Sequence, residues 1–137
     1  MVSRINIFAL DGVPLVKPGD DLVEIIKDAL IVSNERLQND DIVVIAQKII
    51  SKAEGRIVSL NSVKPSSQAE ALAIKLEKDP RQIELVLQES KEIIRSKPGV
   101  VIVEQNLGIV MANAGIDRSN VVGQDDDDEY VLLFPKD

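Results

Sequence analysis

Ile42-Val43-Val44-Ile45-Ala46 runs without a break into Gln47-Lys48-Ile49-Ile50-Ser51-Lys52-Ala53-Glu54-Gly55-Arg56. The first five residues form a continuous apolar run rich in β-branched side chains. That is the pattern of a strand buried on both faces, and it points to an α/β architecture. Two lysines, an amide, a hydroxyl and a Gly-Arg pair follow where the strand would end. In open α/β sheets, ligands collect outside the carboxyl ends of the strands. The competing reading is a strand that emerges into solvent with a charged edge.

Working outward, Arg4 to Leu10 alternates in part and reads as a first strand, closed by turns at Asp11-Gly12-Val13-Pro14 and Pro18-Gly19. Asp20 or Asp21 can cap a helix that runs to about Arg36. Its apolar stripe is Leu22, Ile25, Ile26, Ala29, Leu30 and Ser33, at i, i+3, i+4 spacing. Arg56 to Leu60 reads as a short strand. Pro65-Ser66-Ser67 opens a helix to about Lys78 with Ala69, Leu72, Ala73 and Leu76 on one face. Asp79-Pro80 sets an N-cap before a proline at the first helical position. The helix that follows is expected to reach about Arg95 and to bury Ile83, Val86, Leu87 and Ile94. Pro98-Gly99 breaks the chain. Val100–Val103 and Ile109–Met111 flank Asn106-Leu107-Gly108 as a hairpin. Tyr130–Phe134 is a last apolar strand. With only three residues after it, it is expected to leave an uncovered edge, a liability that a partner chain would relieve.

A second segment carries chemistry. Ala112-Asn113-Ala114-Gly115-Ile116-Asp117-Arg118-Ser119-Asn120 follows an apolar run and is itself almost entirely small or polar. A turn alone needs only a Gly and one or two Asn or Asp. Here an acid, a guanidinium, a hydroxyl and two amides share one loop. Asp117 can bind a metal, and Arg118, Ser119 and Asn120 can hold phosphate oxygens. A polar loop with an Asp117-Arg118 pair and a helix N-cap fits the same residues.

Composition narrows the chemistry. The chain has 137 residues, expected to form one domain over 1–137. Only 2% of residues are aromatic, so the core must be Ile, Val, Leu and Ala. There is no His and no Cys. A Ser-His-Asp triad, a His or thiolate zinc site and a thiol nucleophile are therefore excluded. A metal here would be a hard cation on oxygen ligands. The net charge of -7 argues against a nucleic-acid or anionic-membrane partner. Part of that charge lies in Asp125-Asp126-Asp127-Asp128-Glu129, which reads as a solvated loop. No signal-peptide pattern opens the chain, and no apolar run approaches the roughly 20 residues of a membrane span. A cytoplasmic location is the expectation.

The two long motifs, Ile45–Arg56 and Ala112–Asn120, resemble the coenzyme F420-0:L-glutamate ligase (F420 gamma-glutamyl ligase) family. Asp79-Pro80-Arg81, Glu89-Ser90-Lys91-Glu92-Ile93, Pro98-Gly99-Val100 and the opening Gly12-Val13-Pro14-Leu15 resemble it in the same order. The resemblance implies an α/β fold of mixed sheet and helices in an intertwined homodimer. It implies GTP as a substrate, with Mg or Mn as the divalent ion and K as a further ion. The reaction implied is phosphoryl transfer to a carboxylate of the deazaflavin precursor, followed by attack of the L-glutamate amine on the acyl phosphate.

By the same resemblance, Gly12, Val13, Pro14 and Leu15 approach the nucleotide, and Gln47, Lys52 and Asn120 contact it. Asp117 is a metal ligand. Catalysis would then rest on positioning and charge neutralisation, which suits a chain without His or Cys. Members of the family are about twice as long. Their second half carries an acidic-hydroxyl pair in an Asp-Thr-Phe-Gly-Arg-like motif and a late nucleotide-binding loop, and neither occurs in these 137 residues. A separate chain supplying that half is one expectation. A non-catalytic half-length module, or a gene fragment, is the alternative.

Overall fold

The computed structural model describes residues 5–118 and 129–137. Among these residues, four α-helices and two antiparallel sheets make an α+β fold. Helix α1 is Leu22–Val32 and α2 is Gln47–Ala53. Strand β1 is Ile57–Ser59, followed by helices α3, Ser67–Leu76, and α4, Pro80–Gln88. Strands β2 (Ser90–Lys97), β3 (Val100–Gln105) and β4 (Val110–Ala112) form a three-stranded meander. The last strand, β5 (Tyr130–Leu132), pairs with β1 with Ile57 opposite Leu132. Because both sheets are antiparallel, the rule that locates ligands at the carboxyl ends of parallel strands has no footing here.

The core is aliphatic, as the composition requires. Leu60, Leu76, Ile83, Val86, Val101, Val103 and Val131 are its centre. Helix α3 turns Ala69, Ala73 and Leu76 inward, with Leu72 packed at the margin. Its N-cap is Ser66, whose Oγ accepts from the Ala69 N–H at 3.2 Å. The Asp79 side chain caps α4 ahead of Pro80, as the sequence indicates.

Helix α1 is capped by Asp21 and turns Leu22, Ile25, Ile26, Ala29, Leu30 and Ser33 toward the protein. It ends at Val32 rather than near Arg36, because Asn34 takes a left-handed conformation (φ 53°).

Several expectations fail in the fold. The helix begun at Pro80 does not reach Arg95. It stops at Gln88, and residues 90–97 become β2. There the Ser90 hydroxyl donates to the Val86 carbonyl, and β-branched Ile93 finds a strand partner in Val103. Ile94 falls at a register shift and is 49% exposed instead of buried.

Neither residues 5–10 nor Ile42–Ala46 form a strand. Ile7 and Val44 are 92% and 89% exposed. A strand is completed by a ladder partner, and no described strand runs beside either segment. The terminal strand, in contrast, is not uncovered. β5 pairs with β1, and Val131, Leu132 and Leu133 are buried. No helix of the described residues is long and apolar enough to cross a membrane.

Candidate functional site

The residues from Gln47 onward stand on a helix, not at the end of a strand. Helical spacing puts Lys48 and Lys52 on one face, four residues apart, and does the same for Gln47 and Ser51. The Gln47 amide donates to the Ser51 hydroxyl at 2.6 Å, and Ser51 is fully buried. The Lys48 ammonium meets the Asp117 carboxylate at 2.6 Å. Residues 69 positions apart in sequence thus join the two polar motifs at one place. The Lys52 ammonium, partly buried one turn on, has no ion-pair or hydrogen-bond partner among the described residues.

Asp117 is held by its backbone. Its N–H donates to the Leu132 carbonyl at 2.9 Å, and the Leu132 N–H donates back at 2.8 Å. The chain reaches it through a tight turn, Asn113–Gly115, in which Asn113, Ala114 and Gly115 all have positive φ. Gly115 is required there. A Cβ would stand 2.6 Å from the Phe134 ring and 2.8 Å from the Met111 sulfur. The Asn113 Oδ1 is buried without a hydrogen-bond partner among the described residues.

Beside Asp117, Arg118 donates to Glu129 at 3.1 Å, and Arg81 donates to the other oxygen of the same carboxylate at 2.8 Å. Arg81 also forks onto Asp79 and reaches the Asn61 amide oxygen at 3.0 Å. The Arg81 hydrogen bond holds the Asp79 carboxyl below its ordinary range, against the upward push of burial. The Asp79 bond in turn raises Arg81, which stays a cation.

The Gly12–Leu15 stretch begins beside the C-terminal end of α1. The Asp11 N–H donates to the Ser33 hydroxyl at 2.8 Å, and a Cβ on Gly12 would stand 3.1 Å from Val32. Val13 and Leu15 are 46% and 86% exposed. Near the other end of α1, the Gly19 N–H bonds the Ala53 carbonyl at the end of α2. An eleven-residue helix, about 16 Å long, separates those two ends. Among the described residues, α2 brings Lys48 onto Asp117 and carries Gln47, Ser51 and Lys52 within the same two turns, while Gly12 lies beside Val32 at the other end of α1. Ser119, Asn120 and Asp125–Asp128 lie outside the described residues.

Sequence reasoning gave Lys48 no role of its own. Its i, i+4 spacing to Lys52 was the available signal, and the apolar run ahead of it hid the helix. The Asp117-Arg118 pairing suggested by adjacency is replaced by Lys48–Asp117 and Arg118–Glu129.

Among the described residues, a divalent ion finds the Asp117 carboxylate here, already in contact with an ammonium. No group of three or more acidic side chains that could hold a metal occurs among the described residues. Mg generally needs one or two carboxylates together with phosphates and water. The described residues therefore do not form a metal site by themselves.

The arrangement defines an α+β domain in which a lysine-bearing helix faces one fixed carboxylate, a surface suited to an anionic ligand. Comparison with known proteins narrows the class. A family model described as F420-0:Gamma-glutamyl ligase matches residues 12–137. The coenzyme F420:L-glutamate ligase of Methanothermobacter thermautotrophicus is 44% identical over 97% of this chain and 51% of its own length. Those of Haloarcula marismortui and Methanopyrus kandleri are 43% and 40% identical over 96% and 93% of this chain, and 49% and 48% of theirs. The chain belongs to the F420-0:gamma-glutamyl ligase family. It spans about half the length of the curated relatives it matches.

Proposed function

We propose that this chain provides the nucleotide-facing part of a coenzyme F420-0:L-glutamate ligase that uses GTP. The observation that carries the reading is the meeting of the two motifs: Lys48 on Asp117, with Lys52, which has no partner among the described residues, one turn along the same helix. A partly buried cation without a counter-ion favours an anionic ligand, because the desolvated charge gains most from a phosphate.

In the proposed reaction, a carboxylate oxygen of the deazaflavin precursor attacks the γ-phosphorus of GTP. The bond to the β-phosphate oxygen breaks and GDP leaves. The glutamate amine then attacks the acyl carbon, phosphate departs with the C–O bonding pair, and the new amide nitrogen loses its proton. Lys52, and Gln47 by hydrogen bonding, would hold the phosphates, with Asn120 and the Gly12–Leu15 stretch completing the nucleotide contacts. Mg or Mn, when bound, would neutralise phosphate charge. The remaining ligands of that ion, and any K, must come from outside the described residues.

The reading includes a homodimer and a second stretch of protein equivalent to the other half of the relatives, in this polypeptide or another. A non-catalytic half-length module is the second reading, favoured by the Lys48 ammonium already occupying Asp117.

The deciding assay measures GTP- and glutamate-dependent elongation of the precursor, with and without a chain supplying the remaining half. Turnover only in the mixture supports the ligase reading. No turnover in either case, with GTP still bound, supports the module. In calorimetry, Lys52→Ala is expected to weaken GTP binding about tenfold while the fold persists, since an exposed or half-exposed charge contributes little to stability. Unchanged affinity removes Lys52 from the site.

A further inference from the structure

Arg56 is the third residue after α2 and is the point where that helix is fastened to the segment after β5, the strand whose Leu132 bridges to Asp117. Its backbone N–H donates to the Ser51 carbonyl at 2.9 Å, and its carbonyl accepts the Leu133 N–H at 2.9 Å. Its side chain is nearly buried, at 10% exposure, and reaches two further partners. Nε donates to the Phe134 carbonyl at 2.9 Å, and a terminal nitrogen meets Glu89 at 2.6 Å, itself 15% exposed. Glu89 is the C-cap residue of α4, so the guanidinium is anchored in the helical layer. Leu132, two residues before Phe134, exchanges both backbone hydrogen bonds with Asp117. The Arg56 backbone thus joins the end of α2 to Leu133, and its guanidinium ties the C-cap of α4 to Phe134, two residues beyond the strand position that pairs with Asp117.

We propose that Arg56, oriented by Glu89, is a positioning residue for the site. It sets the separation between the α2 lysines and Asp117 without touching the ligand. The functional half of this statement rests on the nucleotide reading above. The geometric half stands on the hydrogen bonds alone. Arginine is needed because its planar fork serves two partners in different directions, which a lysine ammonium on a flexible stem does not reproduce.

The test uses Arg56→Met combined with Glu89→Leu, and Arg56→Lys as the conservative variant. Removing one member of a buried pair strands the other charge. Replacing both by apolar groups of similar size leaves the fold nearly neutral in stability. Amide hydrogen exchange is measured at Asp117 and Leu132, with Val86 and Val103 as core references.

In the double variant, exchange at Asp117 and Leu132 is expected to rise at least about tenfold over the core amides, and Mg·GTP affinity to fall about tenfold, as for other residues that orient ligands from behind. Arg56→Lys, retaining the charge but not the fork, is expected to fall between wild type and the double variant. Acceleration of all four amides by one factor, or of none, overturns the proposal and leaves Arg56 a general staple. Asp117→Asn and Lys52→Ala separate the two ideas. If both bind GTP as wild type does, the nucleotide reading fails, and the exchange result still decides the positioning role.

Discussion

Asp117 is the residue on which the functional reading turns, and its backbone is fastened independently of its side chain. Asp117→Asn is therefore expected to keep the melting temperature of the ligand-free protein within a few degrees. It should lose the upward shift that Mn with GTP is expected to give wild type, since binding to the native state raises apparent stability. A wild type without any such shift would count against nucleotide binding by this chain. An unfolded variant would make the Lys48 pair structural.

Asp79 gives a pH-dependent prediction. Its carboxyl is depressed from an ordinary 3.8, chiefly by the Arg81 hydrogen bond. A depressed acid stabilises the native state fully above its unfolded value, and the contribution is lost as pH falls through the folded one. Asp79→Ala should cost about 1 kcal/mol at pH 7 through the lost N-cap. Urea titrations should show that gap narrowing only below pH 3.8, as wild type loses what the variant never had.

At the scale of elements, the α3–α4 pair is fixed by one hydroxyl and one carboxylate. Ser66 caps α3 and also donates to Glu84 of α4 at 2.6 Å, while its N–H donates to the same carboxylate oxygen at 2.8 Å. The Ser66 hydroxyl bond is the first cause of the lowered Glu84 carboxyl. Ser66→Ala is expected to cost about 1 kcal/mol in chemical denaturation, a typical cap loss. It should also move the Glu84 carboxyl, followed by carbon NMR against pH, up toward its ordinary value. An unmoved Glu84 would show that the backbone N–H alone sustains the contact. The start of α3 and its stripe were legible in Pro65-Ser66-Ser67 and in the spacing of Ala69, Leu72, Ala73 and Leu76. The switch from α4 to β2 was not, because Ile93 and Ile94 suit the helical period locally and only the pairing with β3 decides against it.

For the molecule as a whole, the buried cluster is drawn from residues between Leu60 and Leu133, whereas Ile5, Ile7, Leu15, Ile42 and Val44 are each more than 80% exposed. Exposed apolar surface on this scale marks a contact surface, and two-fold pairs are the commonest closed assembly. Light scattering after size-exclusion chromatography at micromolar concentration is expected to give a homodimer. A monomer that melts cooperatively would favour an independent module.

The sequence by itself determined the aliphatic core, the cap at Asp79, the inward stripes of α1 and α3, the β3–β4 hairpin and the family. These follow from local spacing, cap chemistry and motif order, which need no distant partner. It also singled out Gln47–Arg56 and Asp117 as polar segments with a shared purpose. Which of Asp20 and Asp21 caps α1, and that Ser66 caps α3, the structure decided. Only the tertiary structure decided that Ile42–Ala46 is not a strand, that Gln47–Ala53 is a helix, and that Lys48, rather than adjacent Arg118, meets Asp117. Strand identity depends on a ladder partner, and an ion pair on which remote backbone is brought alongside. Both are properties of the assembled chain, and neither is encoded in the spacing of neighbouring residues.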